Sequence, residues 1–359
     1  MYTFCPKFIR SLLKSIFPNL RKTQLTNLSL GVFGMVKSQS GIMSEIVREV
    51  PGSNHHKHRL KRFWRFLSNP RVKPEALRSL WITWCIRKFT KGKYVLCAMD
   101  WTTLPGDIQC LMIAAPFMGR AIPIIWQMLP FCQIKNSQNR IEERLITRLI
   151  NLLPKDKKLI LTADRGFGRA SFIKFLRAKG ILFVIRIKSK VWIKTKERKS
   201  ILLKKLYLRE NKPYWFSRIS LREDEHVEGV NLTGIVASGS IDPWFLATNL
   251  RNANSAIRTY QKRFDIEEWF KDLKHQLGIS NLQTKNLKRV RRLMFIAAIS
   301  FSLTALIGKP AKKIKEVVNT LISRGKETAS IIWVALEAIK HNLLKKQFWR
   351  DLWVLGVTP

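Results

Sequence analysis

The sequence predicts an α/β fold in which helices pack on a mixed sheet, with further helices before and after it. Three observations predict this fold. Apolar residues recur at helical spacing through residues 1–92, short apolar strands alternate with amphipathic helices from residue 93, and two apolar helical segments follow residue 286. A chain of 359 residues is long enough for two or three such units.

The first 92 residues are predicted to be helical and strongly basic, with 18 Lys and Arg against three Glu. Residues 38–50 have helical spacing, with Ile42, Ile46 and Val47 on one side, and another helix follows Pro74. The helix predicted over 54–67 has an apolar stripe of Leu60, Phe63, Trp64 and Leu67. Its opposite face carries His58, Arg59, Lys61, Arg62 and Arg65. Such a face suits DNA phosphates, although it is also the ordinary solvated face of a basic protein.

From residue 93 the pattern changes to short strands. Strands are predicted at 94–99, 108–115, 121–126, 158–163 and 181–187, and helices at 138–153 and 170–179. Nearly continuous apolar runs are typical of buried central strands. The order of three strands, helix, strand, helix and strand favours a mixed sheet.

A β-rich insertion is predicted at about 188–250, followed by helices. Its strands are predicted at 191–194, 214–221, 230–237 and 244–248. One helix is predicted to begin at Asn254 or Ser255 and to end at Gly278, and two more at 289–307 and 330–348. The apolar run 293–307 is short for a bilayer and contains Ser and Thr, which favours a buried helix and no membrane span.

Charge and cysteine usage restrict the class of protein. Sixty-six Lys and Arg against 24 acidic residues give a formal net charge of +42, which indicates a polyanionic partner and most simply nucleic acid. A ribosomal-type protein or a membrane-surface binder are the alternatives. The five cysteines are scattered without CxxC spacing, which predicts reduced thiols in a cytosolic protein and no zinc site.

The helix predicted over 254–278 carries the most informative set of residues. Tyr260, Arg263, Glu267 and Lys274 lie at i, i+3, i+7 and i+14. On a continuous helix they would fall within roughly 60° of one another. A separate stripe of Ile266, Phe270, Leu273 and Leu277 would face the core. A phenol, a guanidinium, a carboxylate and an ammonium in one row indicate a site for phosphate and metal.

Two further acids occur at predicted strand ends. Asp100 ends the first apolar strand in AMDWT, and Asp164 ends the fourth in LTADRGFG. Ligands gather at the carboxyl ends of strands in α/β sheets, so these two and Glu267 are candidates to converge. Converging carboxylates need a cation, and two Mg²⁺ or Mn²⁺ ions could activate a water or a 3′-hydroxyl. Taken singly, each acid could only cap a turn or face solvent.

The sequence resembles one large family of bacterial insertion-sequence DDE transposases, the IS-four-like family. The segment YQKRFDIEEWFKDLK matches its signature Y-x2-R-x3-E-x6-K, and AMDWT and ADRGFG resemble its two Asp motifs. HRLKRFWRFLSNP and GRAIPIIWQML also resemble segments of these proteins. The resemblance extends from about residue 30 to residue 300.

This resemblance implies a ribonuclease H-like sheet on which Asp100, Asp164 and Glu267 form the catalytic and metal-binding triad. It implies that Tyr260, Arg263 and Lys274 hold DNA phosphates at the transposon end. Lys274 lies about 10 Å along a helix from Glu267, which suits a neighbouring phosphate. Some relatives stack an aromatic side chain from the insertion on a flipped base. The candidates here are Trp244, Trp215 and Trp192, and a core position is the alternative for each.

Three other groups are weaker candidates. Arg165 follows Asp164 directly, and Gly166 and Gly168 form a loop where backbone could approach DNA. Arg120 has a structural ion pair as its alternative. The histidines at 55, 56 and 58 are too closely spaced for one zinc site on a helix.

The predicted function is therefore a cytoplasmic, nucleoid-associated DNA transposase without a membrane partner. Residues 1–92 would bind the terminal inverted repeats, and residues 93–285 would form the catalytic core with the insertion at 188–250. Residues 286–359 would supply the contacts of a homodimer on paired transposon ends, which then acts on target DNA. Two alternatives remain: a catalytically silent transposase-derived DNA-binding protein or repressor, and a nuclease that hydrolyses DNA without joining it.

Overall fold

The computed structural model describes residues 4–134, 137–195, 197, 199–222, 226–236, 242–321 and 329–357. In these ranges a large mixed sheet is preceded and followed by helices, so the predicted α/β class is confirmed. The α-helices are α1 (Pro6–Ile16), α2 (Lys22–Ser38), α3 (Met43–Arg48), α4 (His56–Ser68), α5 (Arg78–Phe89), α6 (Gln138–Leu152), α7 (Ala170–Ala178), α8 (Ala253–Gln261), α9 (Phe264–His275), α10 (Leu287–Ala311), α11 (Lys315–Leu321), α12 (Ile331–Lys340) and α13 (Lys346–Val357).

One sheet contains all the described strands. They are β1 (Tyr94–Leu104), β2 (Ile108–Phe117), β3 (Arg120–Pro130), β4 (Lys158–Ala163), β5 (Leu182–Ile187), β6 (Trp192–Lys194), β7 (Ser200–Leu202), β8 (Tyr214–Arg222), β9 (His226–Ile235) and β10 (Trp244–Thr248). Their order is β3-β2-β1-β4-β5-β10-β9-β8-β6-β7. Strand β4 pairs in parallel with β1 and β5, and the other pairs are antiparallel.

The predicted β-rich insertion extends this same sheet. Strand β10 pairs with β5, and β9, β8, β6 and β7 follow it outward. Strand β7 was not predicted, and residue 237 of the predicted strand 230–237 lies outside the described residues. The strands after residue 188 are therefore joined through β5 to β4 and β1, the strands at which the candidate aspartates lie.

Strand β1 is longer than predicted, since it extends to Leu104 and not only to Met99. Its parallel pairing with β4 stops at Met99, while its antiparallel pairing with β2 continues to Leu104. The second half of β1 contains Thr102 and Thr103 and lacks the apolar run of a strand buried between two neighbours. Asp100 therefore lies within β1, at the point where one of its two neighbours ends.

The N-terminal helices differ in detail from the prediction. The helix predicted over 38–50 is present only as α3, where Ile46 and Val47 are buried. Helix α2 continues to Ser38 and Gln39 has a left-handed φ of +51°, so the predicted start was wrong. On α4 the side chain of Trp64 is 40% exposed, and Phe66 packs in the core in its place. The guanidinium of Arg289 lies 3.8 Å from the centre of the Trp64 ring. Stacking on Arg289 explains why this large aromatic can remain at the surface.

The helix predicted over 254–278 is two helices, α8 and α9. Their junction forms tight i→i−3 hydrogen bonds, with the N–H of Arg263 donating to the Tyr260 carbonyl and that of Ile266 to the Arg263 carbonyl. The first helix begins at Ala253, capped by Asn252. The single 60° stripe across this segment was therefore wrong. The predicted core stripe of Ile266, Phe270, Leu273 and Leu277 is buried as expected.

The C-terminal helices pack on the same hydrophobic core as the sheet and the N-terminal helices. The ring of Phe295 on α10 contacts the rings of Phe17, Trp81 and Trp126. By length and composition α10 could cross a membrane, contrary to the expectation from its sequence, but 89% of its most apolar window is buried within the protein. The prediction of a buried helix is confirmed.

Two other features concern the end of the chain. The single helix predicted over 330–348 was wrong, because α12 ends at Lys340 and α13 begins at Lys346. Gly308 on α10 lies against the first residue of α12, where an added Cβ would be 1.9 Å from the carbonyl oxygen of Ile331. Only glycine permits this approach of the two helices.

Candidate active site

The pairing of β1 with β4 places Asp100 and Asp164 beside each other. The last parallel pair is Met99 with Ala163. Asp100 is the next residue of β1, and Asp164 directly follows the end of β4. Since the register is shared, the two acids leave adjacent strands at the same level of the sheet. Position 164 therefore fits the predicted strand end, whereas Asp100 is inside the longer β1.

The carboxylate of Asp100 has one hydrogen bond and one longer ionic contact. The backbone N–H of Trp101 donates to its Oδ1 at 2.8 Å, and Arg263 Nη1 lies 3.6 Å from its Oδ2. Burial and, next, the charge of Asp164 raise the pKa of Asp100, and Glu267 adds a smaller increase. The Trp101 N–H and Arg263 lower it, and together these effects give a pKa of about 6. Two other carboxylates, those of Asp164 and Glu267, therefore act electrostatically on Asp100.

Asp164 caps a short turn. The N–H of Gly166 donates to its Oδ1 at 2.9 Å, at the start of a 3-10 turn over Arg165–Phe167. The turn-capping role considered from the sequence is thus present together with proximity to Asp100. The side chain of Arg165 is exposed beside it.

Arg263 connects Asp100 to Glu267. Its Nη2 donates to Glu267 Oε1 at 2.5 Å, and its side chain is only 7% exposed. The guanidinium carbon lies 5.5 Å from the ring centre of Tyr260 and 4.6 Å from that of Phe264. The tight turn between α8 and α9 is what directs this guanidinium between the two acids.

Tyr260 is fully buried, and its hydroxyl has no hydrogen-bond partner among the described residues. The Trp244 ring packs edge-on to it at 5.1 Å between centres. Of the three tryptophans considered for base stacking, Trp244 is buried beside the site, Trp215 is half-buried and Trp192 is 46% exposed. Only Trp244 contacts the residues of the signature.

The other predicted DNA-binding residues lie on α9 and α4. Lys274 is half-buried in the last turn of α9. On α4, Arg59 donates to the carbonyl of Val50, Arg62 donates to Asn27 Oδ1 at 2.7 Å, and Arg65 is exposed. The structure thus brings together Asp100, Arg263, Glu267 and Tyr260, with Asp164 adjacent.

A basic cleft of about 500 Å³ opens beside Asp164. Its lining includes Arg165, Arg186, Lys188 and Lys190. The last three were not proposed from the sequence, although the alternation RIKSK directly after the apolar run of β5 was a usable signal. The cleft therefore places positive charge next to the acids.

Arg120 has a structural partner. Its Nε lies 2.5 Å from Asp272 Oδ2 and its Nη1 3.5 Å from Glu268 Oε2, so it ties β3 to α9. This is the ion pair considered as the alternative to a functional role. It fixes the helix that carries Glu267 to the sheet.

The donor set suits a hard divalent cation. Asp100, Asp164 and Glu267 offer only carboxylate oxygens, which Mg²⁺ and Mn²⁺ prefer. Burial first, and then the charge of Asp164, raises the pKa of Asp100, and a bound cation would offset that charge. In the described part of the chain no three His, Cys, Asp or Glu side chains are arranged closely enough to hold one ion together. The guanidinium of Arg263 provides the positive charge between Asp100 and Glu267 in this arrangement.

The raised pKa of Asp100 predicts the pH dependence of stability in the metal-free protein. Because the folded pKa is about 6 and the ordinary value is 3.8, the folded state binds this proton more tightly. Its stabilising contribution is complete below pH 4 and is lost as the pH rises through 6, a change of about 3 kcal/mol. We expect Asp100→Asn to gain stability relative to the wild type by roughly this amount between pH 4 and pH 7.

Urea denaturation in EDTA at several pH values measures this difference. Asp107→Asn, at an exposed turn, is the matched control for loss of one carboxylate. A constant difference between Asp100→Asn and the wild type across this pH range would contradict the expectation.

Comparison with known families identifies the family of the region that contains these acids. The family model described as "Transposase DDE domain" matches residues 92–303, which is more than half of the chain. The matched range includes Asp100, Asp164 and Glu267. A comparison with curated proteins found no match. Since the matched region contains both the candidate acids and most of the sheet, the chain belongs to the DDE transposase family.

Proposed function

We propose that the protein is an IS-four-like insertion-sequence transposase that binds terminal inverted repeats and catalyses DNA cleavage and strand transfer. The observation that carries the proposal is the equal level of Asp100 and Asp164 on β1 and β4, with Arg263 joining Asp100 to Glu267. Membership of the DDE family supports it, because such enzymes act on DNA and generally use divalent metal ions. We further propose that the sheet is ribonuclease H-like.

Asp100, Asp164 and Glu267 are the residues that would hold the metal ions, two Mg²⁺ or Mn²⁺ by our proposal. Bound there, the ions would assist the attacking water or 3′-hydroxyl and stabilise the leaving oxygen. The chain itself orients these acids through the Trp101 N–H, the Gly166 N–H and the Arg263 guanidinium. Each contact restricts a carboxylate before any substrate arrives.

The signature residues would hold DNA phosphates beside the acids. Arg263 already lies between two carboxylates, so cations bound by those carboxylates would free its guanidinium for a phosphate. The Tyr260 hydroxyl, which has no hydrogen-bond partner among the described residues, could donate a hydrogen bond to a phosphate oxygen. Lys274, in the last turn of α9, would contact a phosphate farther along the strand.

The basic helices would supply the remaining DNA contacts. We propose that residues 1–92 are the end-binding domain, 93–285 the catalytic core and 286–359 the homodimer contacts on paired ends. In α4, Arg59, Arg62 and Arg65 would face the inverted repeat. Arg165 and the basic cleft beside it would hold the strand at the acids, including target DNA. The proposed location is the cytoplasm, on the nucleoid.

Removing Arg65 tests the DNA-binding role of α4. Its side chain is exposed, so Arg65→Ala is expected to leave folding unchanged and to weaken DNA binding several-fold. If it contacts one phosphate, the slope of log K against log salt should become shallower by about 0.9. Fluorescence anisotropy of labelled duplex at several salt concentrations measures both quantities.

Lys346→Ala is the matched control, because it removes one exposed positive charge from α13. An equal loss of affinity in both variants would show that only net charge matters, and would remove α4 from the proposed interface.

Cleavage of DNA that contains the sequences flanking the gene tests the enzymatic function. We expect Mg²⁺-dependent cutting at the ends, followed by joining to a second DNA. Cutting without strand-transfer products would favour the nuclease. Binding to the ends without any nicking in Mn²⁺ would favour the silent DNA-binding protein or repressor.

A further inference from the structure

A fully buried carboxylate, Glu142, lies close to the site but belongs to none of the motifs. It is 0% exposed on α6 and shares its face with Leu145, Ile146 and Leu149 at i+3, i+4 and i+7. Burial of a carboxylate is costly unless it is paired and hydrogen-bonded. Its partners therefore indicate why an acid is present at this core position.

Three side chains form hydrogen bonds or an ion pair with the Glu142 carboxylate. The indole Nε1 of Trp101 donates to its Oε1 at 3.0 Å, and the amide of Gln138 donates to the same oxygen at 2.9 Å. The guanidinium of Arg169 forms an ion pair with its Oε2. Two of these three partners come from the segments that carry the candidate metal-binding aspartates.

The first of these contacts leads to Asp100. Trp101 is the next residue along β1, and its backbone N–H donates to Asp100 Oδ1 at 2.8 Å. Since Glu142 holds the indole, it also fixes the residue whose N–H orients Asp100. One side chain thus separates Glu142 from this carboxylate.

The second contact leads to Asp164. Arg169 uses its other terminal nitrogen, Nη1, to donate to the carbonyl of Gly166 at 2.8 Å. The N–H of the same Gly166 donates to Asp164 Oδ1 at 2.9 Å. The ion pair with Glu142 therefore fixes the loop that orients Asp164.

We propose that Glu142 is a positioning residue that sets the separation and orientation of the two aspartates through Trp101 and Arg169. The inference rests on the proposed function, in which Asp100 and Asp164 hold metal. Glu142 lies in the core and touches neither DNA nor metal in this role. Groups that orient metal ligands in this way affect metal affinity about 10- to 100-fold when they are removed.

The test replaces Glu142 in the full-length chain and measures Mn²⁺ binding directly. Glu142→Gln keeps the volume and an acceptor for Trp101 but removes the charge opposite Arg169. Electron paramagnetic resonance of free Mn²⁺ measures the metal affinity of each protein while it is bound to duplex DNA of the sequence that flanks the gene. We expect Glu142→Gln to weaken it about 10- to 100-fold and to shift the metal requirement for cleavage upward in parallel.

Glu143→Gln is the matched control. This neighbour on α6 is half-buried and points away from the network. It should bind Mn²⁺ within twofold of the wild type. A purely structural role for Glu142 would lower the thermal unfolding temperature and leave the Mn²⁺ affinity of the folded protein unchanged.

A second variant keeps the test decisive if Glu142→Gln does not fold. Trp101→Phe removes the Nε1 donor together with part of the ring volume, so its thermal unfolding is measured alongside. In the folded variant we expect several-fold weaker Mn²⁺ binding from misplacement of Asp100 alone. Wild-type affinity in the folded variants, within twofold, would overturn the inference. If Asp100→Asn also binds Mn²⁺ and cuts like the wild type, the proposed function itself is wrong, which is a different result.

Discussion

Glu267→Gln is expected to reduce Mg²⁺-dependent cleavage of end-containing DNA by at least about 1000-fold, roughly 4 kcal/mol of transition-state stabilisation. The amide keeps the size of the side chain and can still accept from Arg263, but it lacks the negative charge that a metal ligand provides here. Single-turnover cleavage of a labelled DNA fragment measures the effect. DNA affinity should change little, because removing a negative charge does not weaken contacts with phosphate.

Glu268→Gln is the matched control for this prediction. It is the next residue of α9 and pairs with Lys271. Its 3.5 Å contact with Arg120 is the longer of two, and Asp272, 2.5 Å from Arg120, still joins β3 to α9 in this variant. We expect it to cleave within a few-fold of the wild type. Comparable cleavage by Glu267→Gln and the wild type would remove Glu267 from the proposed catalytic set.

Gly308→Ala is expected to lower the free energy of unfolding by about 3 kcal/mol, the upper part of the range for overpacked sites. The added Cβ would lie 1.9 Å from the carbonyl oxygen of Ile331, so α12 must move away from α10. The better helix propensity of alanine returns only about 1 kcal/mol. Urea denaturation measures the difference between the variant and the wild type.

Gly31→Ala provides the comparison, since it makes the same change inside α2. There the nearest atom to an added Cβ is on the Phe63 ring at 2.9 Å, and a side chain can shift more readily than backbone. We expect a smaller loss of stability in this variant. Equal stability of Gly308→Ala and the wild type would mean that the two helices separate without cost.

The strands and the candidate acids were predictable from sequence because burial leaves a direct record there. Strand β4 lies between two neighbours and reads as one apolar run, so its predicted bounds were correct. The aspartates stand out because each interrupts or ends such a run. The extension of β1 was not predicted because its second half pairs only with β2 in the sheet and carries threonines in place of an apolar run.

The break between α8 and α9 could not be predicted from the residues alone. Lys262 and Arg263 favour helix, and the tight turn has no proline or glycine. Tertiary contacts decide it, namely the ionic contact of Arg263 with Asp100 and the packing of Phe264 against Trp244. The apolar residues of α9 keep their helical spacing after the break, which explains why the buried stripe of α9 was predicted correctly.

Glu142 was overlooked for the opposite reason, because its signal was present in the sequence. An acid at the centre of an otherwise apolar helical face is unusual, and this pattern indicates a buried carboxylate with fixed partners. What the sequence could not supply was its partners. Trp101 and Arg169 lie 41 and 27 residues away along the chain and meet Glu142 only after the sheet has formed.

The last strand of the sheet also bears on self-association. An edge strand offers unpaired backbone groups to another chain, and β7 offers only the three residues Ser200–Leu202. So short an edge gives a second molecule little backbone with which to align, so growth of the sheet from one molecule into the next is disfavoured at this end.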